Sequence, residues 1–564
     1  MKAVFILIIF FLPLITNAQI QIVHKENINL RDGERQEWST FPVHVYDSML
    51  LIHFSTENTC GEQTLSLIQS DVNHIWRVKI NGKGLGNLTE DEKSMTTYFP
   101  IPPGTLQEKD NVLIISPGTT QSNMTDDITV GNIILLHSSV NDVLSAANLK
   151  ISTGIPSKLT ILNDKNVLQP VRTSPGDTLA VRTGVIYSGT GNFSFSLPAG
   201  RYKVYASRGF EYGVDSLSVM LIENQTINKK LSISHEVNLK KWKSCDTHLH
   251  TFEFSGHGDA SMKERILTIA GEGLDYGVIT EHNKTVNITD LVKRMKMNKW
   301  FTPVTGDELT TNIGHFNIFP ITNEDVLSPD VANWNQLAQN LRKLSDKKVV
   351  ILNHARDIHN NFRPFDSLTG IKKETFPANA MEIMNSGSQQ TDPRQLYLDW
   401  MMLLNKGIVL TPVGSSDSHD VSRFIAGQAR TYVRSDGDFI TNLIKGQVSV
   451  SFGLFTELDV VMNSSGKKII AIKVYAPSWI KAQKIYLFAN GKEIFTSKIT
   501  RKKPGGLIGE FHVPVAGLVK GTLLVAAAEG GDPLVPWWPI ARPYQHTSPE
   551  VNPIVLAITG AVRL

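Results

Sequence analysis

The sequence predicts a multidomain chain in which a barrel of alternating strands and helices stands between β-rich units, two before it and one after. Three observations predict this. At 564 residues the chain is too long for one hydrophobic core, which argues for three or four domains. Short apolar runs punctuated by turn signals fill residues 19–240 and return after 456. Between these stretches, from Trp242 to about residue 455, short apolar strands alternate with amphipathic helices, the pattern of a parallel sheet closed into a barrel.

Composition sets the class. Apolar content of 41% and charged content of 19% are those of an ordinary globular protein. A net charge of +3 with no long basic run gives no support to nucleic-acid binding driven by phosphate neutralisation. Lys2, the almost wholly apolar run Val4–Ile15 and the small residues Thr16-Asn17-Ala18 read as a secretory signal over residues 1–18, cleaved after Ala18. The alternative, an uncleaved anchor, is disfavoured because the run is short for a bilayer. The mature protein is therefore expected to be secreted or periplasmic, without integral membrane contact. The two cysteines, Cys60 and Cys245, are read as buried thiols with no disulfide between them. They exclude a Cys-based structural zinc site, so any metal must be held by His and carboxylates.

Residues 19–150 carry the apolar runs Ser48–Phe54, Trp76–Ile80 and Asn111–Ile115, separated by the turn signals Asn81-Gly82, Pro102-Pro103-Gly104 and Pro117-Gly118. The stretches IWRVKINGKGLG and YFPIPPGTLQEKDNVLII resemble the galactose-binding-like β-sandwich often fused to secreted enzymes, a module that need hold no sugar. Residues 151–240 centre on FSFSLPAGRYKVYASRGFEY (Phe193–Tyr212), two alternating strands about a Pro-Ala-Gly turn, expected as a hairpin. This unit resembles the small sandwich of the carboxypeptidase-regulatory-like type, which positions a neighbouring domain. Residues 456–564 alternate again at Ile469–Val474, Lys484–Phe488 and Leu523–Ala528, forming a β-rich closing domain.

Within 241–455 the expected strands are Ser244–Leu249, Tyr276–Thr280, Phe301–Thr305, Val349–Leu352, Ala380–Met384 and Ile408–Val413. The expected helices are Ser261–Glu272, Ile288–Asn298, Trp334–Ser345 and Arg394–Asn405. Polar residues gather at the strand ends: Asp246-Thr247-His248-Leu249-His250, Thr280-Glu281-His282-Asn283, Gly306-Asp307-Glu308 with His315 soon after, Asn353-His354-Ala355-Arg356, and Ser416-Asp417-Ser418-His419. Catalytic residues of barrels come from such ends, which converge on one mouth. Residues i and i+2 share a strand face, so both imidazoles of an H-x-H reach one ion, and Asp417 with His419 repeats the spacing. So many imidazoles and carboxylates at one mouth would repel or stay unsatisfied without a cation among them. His359 and Asp259 lack strand-end placement and read as surface residues, while Glu382 and Asn385 are expected to shape the mouth.

The stretches CDTHLHTFEFSGHGDAS, GLDYGVITEHN, TGDELTTNIGHFN, ILNHARD, AMEIMNSG, GSSDSHD, GQARTYV and LIKGQVSVSFG resemble the polymerase and histidinol phosphatase (PHP) superfamily, most closely its carbaryl-hydrolase-like (CehA/McbA) branch of metallohydrolases. The resemblance covers about two-fifths of the chain, and its motifs occur in the family's order. It implies a distorted (β/α)7 barrel holding two or three divalent metal ions (zinc, manganese or iron). By position it implies that His248, His250, Glu308 and Asp417 hold the first metal, and that Glu308 bridges to a second completed by His315 and His354. A third site would be formed by His257, His282 and His419, and Asp246 would orient His248 or His250. The chain departs from the family at Glu281, where an Asp is usual, at His257, where an Asp is common, and at Arg356, where a Pro is familiar. Arg356 is expected either to meet an anionic substrate or to form a plain salt bridge.

The expected function is a metal-dependent hydrolase using a metal-bound hydroxide, with Asp417, His419 or a bound water passing the proton on. Nitrogen-rich ligation suits zinc, iron or manganese better than magnesium or calcium. A phosphoesterase acting on a small-molecule or glycan-linked ester is favoured, and a carboxylic ester or carbamate hydrolase is the alternative. A glycan-binding protein with an inactive barrel is the reading from another class. An amidohydrolase-type barrel fits less well, since Glu308 takes the place of its bridging carboxylated Lys.

Overall fold

The computed structural model describes residues 20–564 apart from 58–59, 119–124, 175, 345–347, 360, 369–375, 388–391, 502 and 543–552. The expected signal and its cleavage point lie outside the described residues. No helix among the described residues is long and apolar enough to cross a membrane. The chain divides into two compact units: one runs to Glu37 and resumes over Pro42–Ser145, the other holds Trp38–Phe41 and Ala146–Leu564.

In the first unit alternation of apolar and polar residues builds two facing sheets. One holds Ile20–His24, Ile28–Arg31, Asp127–Leu136, Gln63–Ser70 and Met95–Ile101, the other Leu50–Phe54, Asn111–Pro117, Trp76–Ile80 and Lys83–Asn87. Trp76, Val78 and Ile80 point inward beside Leu113 and Ile115 and meet Leu65, Leu67 and Val130, all fully buried. Asn81 and Gly82 turn between two of these strands with φ of 50° and 78°, the left-handed pair that a tight hairpin requires. Cys60 is exposed, contrary to expectation, because it falls in a loop before Gln63–Ser70 and not on an inward strand face.

The second unit opens with another sandwich. The hairpin expected across Pro198-Ala199-Gly200 does not form. Asn192–Leu197 pairs with Ala147–Ser152, whereas Gly200–Ser207 pairs with Ser157–Asn163 and Asp215–Leu221. Phe193, Phe195 and Leu197 on one strand and Tyr202, Val204 and Ala206 on the next enter one core, and burying both faces there places the strands in opposite sheets.

The strands bearing the histidines follow: β1 (Trp242–Leu249), β2 (Tyr276–Ile279), β3 (Thr302–Thr305), β4 (Asp307–Thr311), β5 (Gly314–Phe319), β6 (Val349–Leu352), β7 (Ala380–Asn385), β8 (Thr411–Ser415), β9 (Ala429–Arg434) and β10 (Val448–Phe452). The longer helices among them include α1 (Met262–Gly271), α2 (Thr289–Arg294), α3 (Trp334–Leu341) and α4 (Gln395–Asn405). A capping box at Ser261 and Glu264 starts α1, and its Ile266, Leu267, Ile269 and Ala270 are buried.

The closed parallel barrel expected from the alternation is not what the hydrogen bonds form. One sheet runs β3-β2-β1-β9-β10 and the other β4-β5-β6-β7-β8. Isolated bridges join Leu249 to Ser418 and His282 to Glu308, and no closed ring of strands is present among the described residues. Two departures break the parallel pattern as well. Thr311 and Gly314 pair across a connection far too short for a parallel crossover, so β4 and β5 are antiparallel. After β8 the chain returns along β9, antiparallel to β1, and β10 pairs antiparallel to β9.

The segment after 456 contributes to the same sheet. Strands β11 (Ala482–Ala489), β12 (Lys492–Lys498), β13 (Leu523–Gly531) and β14 (Ile554–Thr559) extend it in the order β10-β14-β13-β11-β12. A separate sheet holds Phe455–Met462, Lys468–Ala476 and Gly506–Pro514. At the other side of the unit, Lys158 Nζ and the Tyr187 hydroxyl both donate to Glu272 Oε1 at 2.6 Å, with all three side chains buried, which fixes the small sandwich to the end of α1.

Candidate metal centre

Strand alternation aims Asp246, His248 and His250 to one side of β1, and all three are fully buried. Glu308 enters from β4, His315 from β5, His354 from just beyond β6, and Asp417 and His419 from beyond β8. Two of these positions carry left-handed backbone at non-glycine residues, His354 with φ of 22° and Asp417 with φ of 53°, as strained geometry at functional sites does. Arg265 of α1, fully buried, ties the two sheets together here. Its Nε donates to His250 O at 2.9 Å and its Nη2 to Ser418 O at 2.8 Å.

The donor atoms converge. His248 Nε2 lies 3.2 Å from Glu308 Oε1 and 3.3 Å from Asp417 Oδ1. His250 Nε2 lies 3.4 Å from Glu308 Oε2 and 3.4 Å from Asp417 Oδ1. His354 Nε2 stands 3.4 Å from Glu308 Oε1, and His282 Nδ1 and His315 Nδ1 lie 2.8 and 3.1 Å from the two oxygens of that carboxylate. Bonds of about 2.1 Å around a tetrahedral ion place its ligand atoms roughly 3.4 Å apart. Four sets have ligand atoms within 4.8 Å of one another: His248, His250 and Glu308; His248, His354 and Asp417; His282, Glu308 and His315; and His250, His282 and His419.

Unsatisfied atoms mark the same place. His248 Nε2, His250 Nε2 and Glu308 Oε2 are buried with no hydrogen-bond partner among the described residues. Leaving such groups bare is costly, and a divalent cation satisfies all three at once. Burial works to raise the Glu308 and Asp417 carboxyls, but His248 beside both, with His282 and His315 near Glu308 and His354 near Asp417, outweighs it and holds both well below the usual carboxylate range. Burial works to lower the His248 imidazole, yet Asp417, Glu308 and Glu382 together push it well above its ordinary value. His419 goes the other way, held well below by burial and by His250. These opposed charges, compressed into one buried volume, fit a set of donors for cations.

The structure brings His248, His250, His282, Glu308, His315, His354, Asp417 and His419 together. His257 stands apart from the four sets. It is exposed at the rim, its ring 4.2 Å from that of His419 and 5.5 Å from that of His282, with Nδ1 3.0 Å from Ser255 O. Arg356 is engaged elsewhere, its Nε and Nη2 donating to Asp399 at 2.7 and 2.9 Å while its guanidinium lies 3.8 Å over the Phe365 ring. Asp259, at the surface as expected, pairs with Arg182 at 2.7 Å.

Asp246 does not touch the imidazoles it was expected to orient. It accepts instead from the backbone N–H groups of His248, Ser416 and Gly427 and from the Ser416 hydroxyl. Other carboxylates stand behind the rings. Glu382 Oε1 lies 2.8 Å from His248 Nδ1, Asp357 Oδ2 lies 3.4 Å from His354 Nδ1, and Glu281 Oε2 lies 3.9 Å from His250 Nδ1. A carboxylate hydrogen-bonded to the far ring nitrogen is the usual support of a metal-binding His. Of these three Glu382 makes that bond, whereas His354 Nδ1 and His250 Nδ1 have no hydrogen-bond partner among the described residues. His359, read from sequence as a surface residue, has its ring 4.2 Å from that of His315 and 5.5 Å from that of His354. Burial, then His354 and His315, push its imidazole down to about 3. Nothing in the strand periodicity marks this position, since the residue lies in the loop beyond β6.

No family model matches this chain, and no curated protein does. Among solved structures it is similar to Endonuclease Q in complex with a 27-mer duplex bearing an abasic lesion, at a TM-score of 0.26 and 10% identity, covering 36% of this chain. The chain spans 56% of the length of that protein. It is also similar to a Bacteroides uniformis beta-glucuronidase, at a TM-score of 0.19 and 11% identity over 97% of this chain and 80% of that one. A third likeness is to an FMN-binding beta-glucuronidase from Facaelibacterium prausnitzii L2-6, at 0.19 and 9% over 90% and 96%. Likenesses this remote carry no argument about fold or activity.

Proposed function

We propose that this chain is an exported metal-dependent hydrolase of ester bonds, phosphate esters first, with a metal centre of the PHP type. The observation that supports it is the convergence of five imidazoles from four segments on Glu308, with ligand-type atoms 2.8–3.4 Å from its two oxygens. Glu308 presents both oxygens to different imidazoles, which suits a carboxylate shared between two ions. His248, His250 and Asp417 would complete one position, and His315 and His354 the other. His250, His282 and His419 offer a third, all-nitrogen position. Bound cations would lower the pKa of a water from about 15.7 towards 7 and offset the charge that develops on the ester oxygens. The chain's own part is then to hold the ester in line and to take up the proton. Asp417 and His419, which stand at the same strand end with His419 Nδ1 3.1 Å from Asp417 O, or a bound water would pass that proton on.

Elemental analysis of the purified protein, paired with a screen of aryl phosphates, aryl acetates and carbamates, tests the reading. Two or three equivalents of zinc, manganese or iron with turnover abolished by chelation are expected. Turnover of acetates or carbamates and not phosphates would move the assignment to the alternative ester class. Less than one equivalent of metal after reconstitution, with no ester cleaved, would overturn it.

A further inference from the structure

We propose that His359 is a substrate-contacting residue, whose Nε2–H donates a hydrogen bond to a phosphate oxygen of the ester held at the His315 and His354 side of the metal centre. The inference rests on the hydrolase reading and adds to it the residue that grips the anion.

His359 lies against two candidate ligands, its ring 4.2 Å from that of His315 and 5.5 Å from that of His354. It belongs to none of the four sets of atoms close enough to share an ion. A further imidazole beside the ligands and outside their reach is placed to meet what the ions hold. Its Nε2 is shut from solvent and has no hydrogen-bond partner among the described residues. A buried ring N–H of that kind needs an acceptor. The loop also fixes where the ring sits, because His359 N donates to Phe362 O at 2.7 Å and Phe362 N donates back to His359 O at 2.8 Å.

A phosphate ester offers the matching acceptor. Ions bound by the His315 and His354 side of the centre would engage some of its oxygens, and an oxygen left over would require a donor from the protein. Arg356, the nearby cation that sequence reading put forward for this task, is bound to Asp399 through Nε and Nη2. His359 is the donor of this loop whose ring lies against the ligands His315 and His354.

The test uses the full chain loaded with manganese, inorganic phosphate as the probe, calorimetry for the dissociation constant and elemental analysis for the metal. In His359→Ala the phosphate Kd is expected to rise about tenfold, the loss of one charge-assisted hydrogen bond, with metal content unchanged. His359→Gln, whose amide nitrogen reaches the position of Nε2, is expected to recover part of the affinity. An unchanged Kd in both variants, or failure of the wild-type protein to bind phosphate, overturns the inference, and so does loss of an equivalent of metal, which would make His359 a ligand. If phosphate binding depends on His359 but no ester is cleaved, the inference stands and the hydrolase reading fails. If wild type and His359→Ala cleave phosphate esters with the same KM, the inference alone fails.

Discussion

His248 Nδ1 and Glu382 Oε1 lie 2.8 Å apart with both side chains fully buried. The same carboxylate accepts from His354 N at 2.7 Å, from Asn385 Nδ2 at 2.9 Å and from the Ser415 hydroxyl. One side chain on β7 therefore sets the tautomer of His248, leaving the Nε2 lone pair for an ion, and anchors the backbone of His354 as well.

Glu382→Gln is expected to weaken metal binding by about 10–100-fold, as loss of a carboxylate behind a ligating His does. Competition with a calibrated chelator measures it. Asp246→Asn should behave differently, since Asp246 holds backbone N–H groups and no imidazole. It is expected to cost about 1–3 kcal/mol of stability in urea unfolding with a smaller change in metal affinity.

Metal removal should destabilise the fold, because ions held by residues from both sheets bind only the assembled state. At a free metal concentration one hundred times Kd the stabilisation is about 2.7 kcal/mol per site. Chelated protein should melt at lower temperature than reconstituted protein, and readdition of manganese or zinc should restore the midpoint. Equal midpoints would contradict the site.

Asp307 predicts a pH effect in the metal-free protein. Its side chain is 3% exposed, and burial, followed by the neighbouring Glu308, pushes its carboxyl from 3.8 up to about 7. A carboxyl with a raised folded pKa binds its proton more tightly in the folded chain. Its stabilising contribution is complete below about 3.8 and is lost as pH rises through about 7. Asp307→Asn should therefore gain stability relative to wild type as pH climbs over that window. Thermal melts of chelated protein across the window check the sign.

Lys158→Met should destabilise the second unit by about 3–5 kcal/mol, because it strands the buried Glu272 carboxylate with the Tyr187 hydroxyl as its remaining side-chain partner among those described. Replacing Lys158 and Glu272 together by apolar residues should recover much of the loss. Denaturant unfolding of the single and double variants measures the difference.

The sequence was most legible where a residue's role follows from its place on a strand. His248 and His250 at the end of β1, Glu308 on β4 and Asp417 beyond β8 stand where an i, i+2 pattern and a strand-end rule put them. Strand positions were also readable, as Val349–Leu352 shows, because four consecutive buried apolar residues have few other uses. Pairing was not readable. Asn192–Leu197 and Gly200–Ser207 alternate as a hairpin would, and only the shared core decides that they part into opposite sheets. The expected parallel order failed for the same reason, since the direction of β5 and β9 depends on connection length and partner. The roles that went unread, Glu382 behind His248 where it was expected only to shape the mouth and His359 beside His315 where it was read as a surface residue, act across long separations or from a loop. Neither situation leaves a periodic trace in sequence.

The position of β14 bears on how the protein is made. Ile554–Thr559 lies between β10 and β13 in the sheet that also holds β1. Until that strand is synthesised and inserted, β10 offers a row of unpaired N–H and C=O groups able to recruit another chain. Truncation before Ile554 would thus remove an interior strand and not a tail, and vectorial synthesis delivers the imidazoles of β1 long before the sheet that supports them can be finished.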